Sequence, residues 1–218
     1  MTRRLAVFDC DGTLVDGQAA VCDAMEAAFL AAGLAAPDRH AVRRIVGLSL
    51  PQAVRHLAPD ADPQRRAAAV DAYKAAFRGA REQGRLEEPL FAGVADLLHD
   101  LVGGGWLLAI ATGKSDRGLA ACLAGHGIAE RFASLQTADR HPSKPHPAML
   151  EAALAEAGVA AEHAVMIGDT SFDMAMAGSA GVRAIGVAWG YHAPEELLAA
   201  GAEAVARDPA HLKELLDG

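Results

Sequence analysis

The sequence predicts an α/β protein with a doubly wound parallel sheet and an inserted α-helical segment. Short apolar runs alternate with helical patterns along most of the chain, and only one long stretch near the amino terminus is helical throughout. Such short runs suit strands that are covered on both faces, and their alternation with helices is typical of a parallel sheet. Ligands of such sheets bind at the carboxyl ends of the strands.

The first predicted strand, Leu5–Phe8, runs directly into two acidic residues, Asp9 and Asp11. Two unit negative charges about 4 Å apart repel each other by roughly 4 kcal/mol at an effective dielectric constant near 20. A folded chain keeps such a buried pair only with a cation or a shared proton. The pair therefore predicts a metal site at the end of this strand.

The stretch from residue 15 to residue 85, here called the cap, has helical periodicity and contains no strand candidate. Apolar residues recur at helical spacing, and glycines and prolines divide the stretch into short helices. The apolar positions are Val21, Met25, Ala28, Phe29, Val42, Ile45, Val46, Val70, Tyr73 and Phe77. We favour a lid over the strand ends, which would exclude water and select the substrate. The alternative is a helical layer that belongs to the main core.

The remaining elements alternate regularly after the cap. The predicted strands are Leu107–Ala111, Ser134–Thr137, Ala164–Ile167, Ala184–Val187 and Ala204–Ala206. The predicted helices lie near Val94–Val102, Gly118–Gly125, Pro147–Ala157, Phe172–Ala180, Pro194–Ala200 and Ala210–Leu216. This order predicts that the sheet continues through the carboxyl-terminal part of the chain.

Composition excludes several classes of function. The 218 residues carry a net charge of −8 and no run of basic residues, which argues against nucleic acid and anionic membranes as partners. The three cysteines are far apart in the sequence, which indicates a reducing, cytoplasmic setting. The apolar run after Arg3 and Arg4 is too short for an export signal, and no run approaches the ~20 residues that span a bilayer.

Polar groups follow two further strands and one loop. Thr112-Gly113-Lys114 ends one strand, Gly168-Asp169 with Asp173 ends another, and Ser143-Lys144-Pro145 lies between them. Each group alone is typical of an ordinary turn or helix cap. Together, the acidic residues call for a divalent cation, and the lysines and the hydroxyl call for an anion. The combination predicts a site for magnesium and phosphate.

These motifs, in this order, resemble the four signature motifs of the haloacid dehalogenase superfamily. They are Asp9-x-Asp11-Gly12-Thr13, Thr112, Lys144 and Gly168-Asp169-x-x-x-Asp173. The helical insertion and the segment from Ile185 to Gly190 are similar to the phosphoglycolate-phosphatase-like branch. The resemblance implies a Rossmann-like catalytic core at residues 1–14 and 86–218 and an inserted cap at residues 15–85.

The resemblance also implies catalytic roles. Asp9 is expected to attack phosphorus and form an aspartyl-phosphate. Asp11 is expected to protonate the leaving alcohol and then to activate water, which requires a pKa above the usual value of about 3.9. Mg²⁺ is expected on the Asp9 carboxylate, the Asp11 carbonyl and Asp169. Asp173 either binds the metal through water or orients Lys144.

Phosphate binding is expected from Thr112, from the N–H of Gly113 and from Lys144, which would neutralise charge in the transition state. Gly12 is expected to permit the turn after the first strand. Gly113 stands where many relatives carry asparagine, so only the backbone donor remains. Gly17 stands where a serine is frequent, at the hinge of the cap.

Four cap residues lie around a predicted helix break and are candidates for substrate selection: Arg43, Arg44, Gly47 and Gln52. An arginine there could contact a substrate carboxylate, and a solvated helical face is the alternative. The favoured function is a Mg²⁺-dependent phosphatase for a small phosphorylated metabolite, either phosphoglycolate-like or a sugar phosphate. The alternatives are a hexose-phosphate mutase and a non-enzymatic phospho-aspartate switch. The sequence leaves the oligomeric state open.

Overall fold

The computed structural model describes residues 3–217 and has a six-stranded parallel sheet in this part of the chain. The strands are β1 (Arg4–Phe8), β2 (Trp106–Thr112), β3 (Phe132–Thr137), β4 (Ala164–Gly168), β5 (Arg183–Val187) and β6 (Ala204–Ala206). Their order across the sheet is β3-β2-β1-β4-β5-β6, so β1 lies between β2 and β4. The α/β fold class and the strands are confirmed, and each predicted strand end lies within two residues of the observed one.

Helices connect the strands and cover the sheet. They are α1 (Gln18–Ala31), α2 (Arg39–Arg44), α3 (Leu50–Leu57), α4 (Pro63–Glu82), α5 (Val94–Gly103), α6 (Asp116–Gly125), α7 (Ala148–Ala157), α8 (Ser171–Ser179), α9 (Pro194–Ala199) and α10 (Pro209–Asp217). The strands read as continuous apolar runs because both faces of the sheet are buried. One face of β1 packs through Ala6 and Phe8, and the opposite face packs through Leu5 and Val7.

The cap has a small hydrophobic core of its own, formed by α1 to α4. Val21, Met25, Phe29, Val42 and Val54 are buried in it. Two short segments connect the cap to the sheet side by side. The N–H of Asp16 donates to the carbonyl of Pro89 at 2.8 Å, and the N–H of Phe91 donates to that of Leu14 at 3.0 Å.

The predicted division into residues 1–14, 15–85 and 86–218 stays a prediction, and its end points Met1 and Gly218 lie outside the described residues. The paired segments around Val15 and Leu90 show where the chain passes between sheet and cap. Within residues 3–217, none of the helices combines the length and the apolar composition that crossing a bilayer requires.

Buried side chains at the centre of the sheet should contribute more to the free energy of unfolding than exposed side chains of the cap. Ile110 on β2 is fully buried, whereas Leu30 on α1 is 64% exposed. We expect Ile110→Ala to lower the free energy of unfolding by about 2–5 kcal/mol, because it removes buried methyl groups and leaves a cavity. Leu30→Ala is the matched control and should change it by less than about 0.5 kcal/mol. Urea unfolding measures both, and equal effects would contradict this account of the core.

Candidate active site

Asp9 lies at the end of β1 with its two carboxylate oxygens in different surroundings. Oδ1 accepts a hydrogen bond from the N–H of Cys10 at 2.6 Å and lies 3.0 Å from Nζ of Lys144. Oδ2 is buried and has no hydrogen-bond partner among the described residues. One oxygen is therefore held in place, while the other is left for a group from outside the chain.

Asp169 lies at the end of the neighbouring strand β4 and is fully buried. Its Oδ1 accepts from the Thr13 hydroxyl at 2.8 Å, and its Oδ2 accepts from the N–H of Tyr191 at 2.9 Å. A Cβ atom at Gly12, where φ is +80°, would collide with this carboxylate and with the Tyr191 ring. Glycine at position 12 therefore allows both the turn and the close approach of Asp169.

Lys144 is buried between two carboxylates. Its Nζ lies 2.6 Å from Oδ1 of Asp173 and 3.0 Å from Oδ1 of Asp9. The other oxygen of Asp173 accepts from the N–H of Thr170 at 3.1 Å and from its hydroxyl at 2.7 Å. Both oxygens of Asp173 are thus engaged at the start of α8: Oδ2 is held by Thr170, and Oδ1 pairs with Lys144.

Charge in this cluster is not balanced by the chain. Ligand atoms of Asp9, Asp169 and Asp173 lie within 4.8 Å of one another, and Lys144 is the cation between them. With all three carboxyl groups ionised, one ammonium would leave two negative charges uncompensated. Buried carboxylates with an unpartnered oxygen suit a hard divalent cation, so the residues present fit Mg²⁺.

The pKa shifts in this cluster reflect burial first and the neighbouring charges second. Burial raises the pKa of Asp9 to about 7, against the opposing effect of Lys144. Burial and the charge of Asp9 raise the pKa of Asp169 well above its usual value. Burial opposes the ammonium form of Lys144, but Asp173 and Asp9 outweigh it and raise the pKa of this lysine. A bound cation would favour the ionised carboxylates.

Asp11 belongs to a second network, at the mouth of the site. Its Oδ1 lies 2.9 Å from Nζ of Lys114 but accepts no aligned hydrogen bond among the described residues. Lys114 also lies 2.5 Å from Glu88, which is 3.4 Å from Arg81. Burial raises the pKa of Asp11, and Lys114 opposes the shift. The sequence indicates Lys114 as an anion-binding residue but carries no signal for its pairing with Glu88, which is 26 residues away.

Thr112 and Gly113 lie at the end of β2, beneath a loop of the cap. The Thr112 hydroxyl is buried and accepts from the N–H of Lys114 at 3.2 Å. A Cβ atom at Gly113 would lie 2.5 Å from the carbonyl oxygen of Leu48 and 2.6 Å from that of Gly47. Glycine at position 113 therefore lets the cap backbone rest directly on the end of β2.

The same cap loop, residues 47–49, touches two other parts of the site. The N–H of Ser49 donates to the Ser143 hydroxyl at 2.8 Å, one residue before Lys144. A Cβ atom at Gly47, where φ is +98°, would lie 3.3 Å from Oγ1 of Thr170 and 3.8 Å from Oδ2 of Asp9. The loop thus lies against the carboxylate cluster.

The other predicted selectivity residues, Arg43, Arg44 and Gln52, do not line the cavity between the cap and the strand ends. Arg44 pairs with Glu196 on α9 at 2.5 Å, and its carbonyl lies 3.2 Å from Nε2 of His192. Gln52 pairs with Arg55 on α3. Nε of Arg43 is buried without a hydrogen-bond partner among residues 3–217. Of the four candidates, Gly47 is the one that lines the cavity between the cap and the ends of the strands.

A cavity of about 440 Å³ lies between the cap and the ends of the strands. It begins at Asp11 and Lys114 and is lined on the cap side by Tyr73 and Phe77 of α4. The sequence predicts an apolar helical face that contains both aromatic residues. Their spacing of one helical turn also indicates that the two rings are neighbours. Periodicity could not show that part of this face is turned to a cavity.

Comparisons with known proteins agree with this geometry. Residues 6–187 match the family model described as haloacid dehalogenase-like hydrolase. The chain is 39% identical over 201 residues to the probable phosphatase IndB of Dickeya dadantii, covering 90% of this chain and 86% of that protein. It is 32% identical to a phosphoglycolate phosphatase of Rhodospirillum rubrum, covering 98% and 90% of the two chains.

Solved structures share the fold. The chain superposes on a hydrolase from Pseudomonas syringae with a TM-score of 0.87 and 24% identity, covering 100% of this chain and 98% of the other. The resemblance seen in the sequence motifs, including the phosphoglycolate-phosphatase-like branch, is confirmed. The chain belongs to the haloacid dehalogenase-like hydrolase family.

Proposed function

We propose that this protein is a Mg²⁺-dependent phosphatase that hydrolyses a small phosphorylated metabolite through a phosphorylated Asp9. The family and its relatives make the chain a phosphoric monoester hydrolase. The observation that carries the finer proposal is the buried Oδ2 of Asp9, which accepts no hydrogen bond from residues 3–217 although Asp9 lies next to Lys144 and Asp169. An oxygen in this position is free to bind phosphorus or a cation.

In the first half-reaction, a carboxylate oxygen of Asp9 forms a bond to phosphorus while the bond from phosphorus to the alcohol oxygen breaks. The proton of the Asp11 carboxyl group passes to that alcohol oxygen. Lys144, fixed by Asp173, offsets the negative charge on the phosphoryl oxygens. Thr112 and the N–H of Gly113 supply hydrogen bonds to the same oxygens.

In the second half-reaction, water attacks phosphorus and gives its proton to the Asp11 carboxylate. The bond between phosphorus and Asp9 breaks, phosphate leaves, and both carboxyl groups return to their starting states. Asp11 must therefore exist in both protonation states. The raised pKa of Asp11, caused by burial and limited by Lys114, supports this double role.

The carboxylates of Asp9 and Asp169 and the backbone carbonyl of Asp11 would hold Mg²⁺. The ion would supply charge neutralisation and orient the phosphoryl group. Asp173 is assigned to positioning Lys144, because both of its oxygens are already engaged by the chain.

The cap, residues 15–85, is proposed to close over the bound ester. The contact of the 47–49 loop with Gly113, Ser143 and Thr170 supports a closed arrangement that excludes water. The net charge of −8 argues against the large anionic surfaces of nucleic acids and membranes as partners, so the proposed partner is a small phosphorylated metabolite.

Loss of the nucleophile should abolish turnover. We expect Asp9→Asn to lower kcat for p-nitrophenyl phosphate by at least about 10³-fold, because an amide cannot form the covalent intermediate. Asp60→Asn removes an exposed carboxylate and should leave kcat unchanged. Phosphate release measures both variants, and undiminished turnover by Asp9→Asn would refute the mechanism. Isomerised sugar phosphate as the main product would instead indicate a mutase.

Mg²⁺ should stabilise the fold as well as support turnover. At a concentration about 100 times its Kd, a ligand of the native state adds ~2.7 kcal/mol to the free energy of unfolding. We expect the free energy of unfolding of the wild type, measured with urea, to increase by this order when a chelator is replaced with Mg²⁺. Asp169→Asn should lose most of it, because one negative charge and one ligand oxygen are removed. A wild-type stability that is indifferent to Mg²⁺ would contradict the site.

A side chain at position 113 should prevent the cap loop from seating. Gly113→Ala keeps the backbone N–H but places Cβ against the carbonyl oxygens of residues 47 and 48. Overpacking of this kind costs about 1–3 kcal/mol, so kcat/KM should fall by about 5- to 160-fold. Gly125→Ala on α6 is the matched control, since its Cβ would meet no atom within 4 Å. Equal kcat/KM values for the two variants would argue against this contact.

A further inference from the structure

The cavity between cap and sheet has an aromatic wall at the side of the cap. Tyr73 and Phe77 are one turn apart on α4, and their rings are stacked with centroids 5.0 Å apart and planes inclined by 29°. Both side chains are partly buried against the hydrophobic core of the cap, and both line the cavity. An apolar surface is thus turned toward a space that a ligand can enter.

This wall begins beside the residue proposed to protonate the leaving alcohol. The ring centroid of Phe77 lies 6.0 Å from Nζ of Lys114, which lies 2.9 Å from Oδ1 of Asp11. A phosphate ester bound at Asp9 would direct its alcohol toward Asp11. The alcohol portion of the substrate would therefore extend along Phe77 and Tyr73.

The size and lining of the cavity indicate more than a two-carbon alcohol. Its volume of about 440 Å³ lies within the range of pockets that enclose drug-sized molecules. Met25, Ile45 and Leu48 continue the apolar lining around the two rings. A short hydrophilic alcohol would leave most of this surface in contact with water, whereas a planar ring could stack on it.

We propose that the substrate is a phosphate monoester whose alcohol carries a planar ring and is about the size of a nucleoside. The ring contacts Phe77 and Tyr73, which makes these two residues determinants of specificity. This inference rests on the proposed function, because it takes Asp9 and Asp11 as the groups that fix the position of the phosphate.

Two sets of phosphate esters test the proposal. Uridine and adenosine 5′-monophosphates carry rings, and 2-phosphoglycolate and glycerol 3-phosphate do not. With Mg²⁺ present, we expect kcat/KM for the better substrate of the two ring esters to be at least about tenfold higher than for either ester without a ring. A difference of this size matches the contribution of stacking between a base and an aromatic side chain. Calorimetric binding of the same esters to Asp9→Asn should show the same order of affinity.

Variants on one helix separate ring recognition from general damage to the cap. Phe77→Ala should lower kcat/KM for the ring ester about tenfold and change that for glycerol 3-phosphate by less than about twofold, with the loss mainly in KM. Phe77→Trp should restore the preference. Val70→Ala is the control, because Val70 packs against the same cap core but does not line the cavity.

A preference for 2-phosphoglycolate would overturn the inference and assign the cavity to an acidic alcohol, for which the exposed Lys74 and Arg78 are available. Equal losses for all esters in Phe77→Ala and Val70→Ala would also overturn it. Tight binding of a ring ester without hydrolysis of any ester would support ring recognition and refute the proposed function instead. Hydrolysis of every ester without preference would refute the inference alone.

Discussion

The ion pairs of Lys144 with Asp9 and Asp173 are the interaction on which the site depends. All three side chains are buried, so the pairs act at low effective dielectric and are strong. One ammonium cannot offset Asp169 as well, so the cluster has more acidic groups than the chain balances, which suits a cation. The same lysine is positive where a phosphoryl group would arrive. A single buried cation thus connects the proposed metal site, the proposed phosphate site and the proposed nucleophile.

The sheet supplies rigid positions for these charges, and the cap supplies the cover. Asp9 and Asp169 follow adjacent parallel strands, so their carboxylates meet at one edge of the sheet. Glycine at positions 12 and 113 lets neighbouring groups approach more closely than any side chain would permit. The 47–49 loop then rests on the ends of the strands. The groups proposed to react are positioned by the ends of the strands and the turns that follow them, whereas the proposed surroundings of the leaving group come from the cap.

Prediction from sequence was most successful where the signal is local. Apolar runs and helical periodicity are read over a few residues, and they located the strands and helices to within a few positions. The convergence of Asp9, Lys144, Asp169 and Asp173 also followed, because parallel strands place their carboxyl ends together. In the cap, Tyr73 and Phe77 line the cavity, whereas Arg43, Arg44 and Gln52 do not, and a role for these three in substrate selection stays a prediction. A helix break in the sequence does not show which side of it faces the sheet.

The sequence by itself determined the α/β class, the order of the elements and the family, and it supplied the acidic and basic residues that are proposed for the site. These follow from local patterns and from motifs whose residue types carry the chemistry. Only the tertiary structure decided that Lys114 bridges Asp11 and Glu88, and that Gly113 lies against the cap backbone. It also decided that an aromatic pair faces the cavity. Contacts of this kind depend on how the cap helices pack on the sheet, and the orientation of packed helices is set by long-range contacts that no single segment specifies.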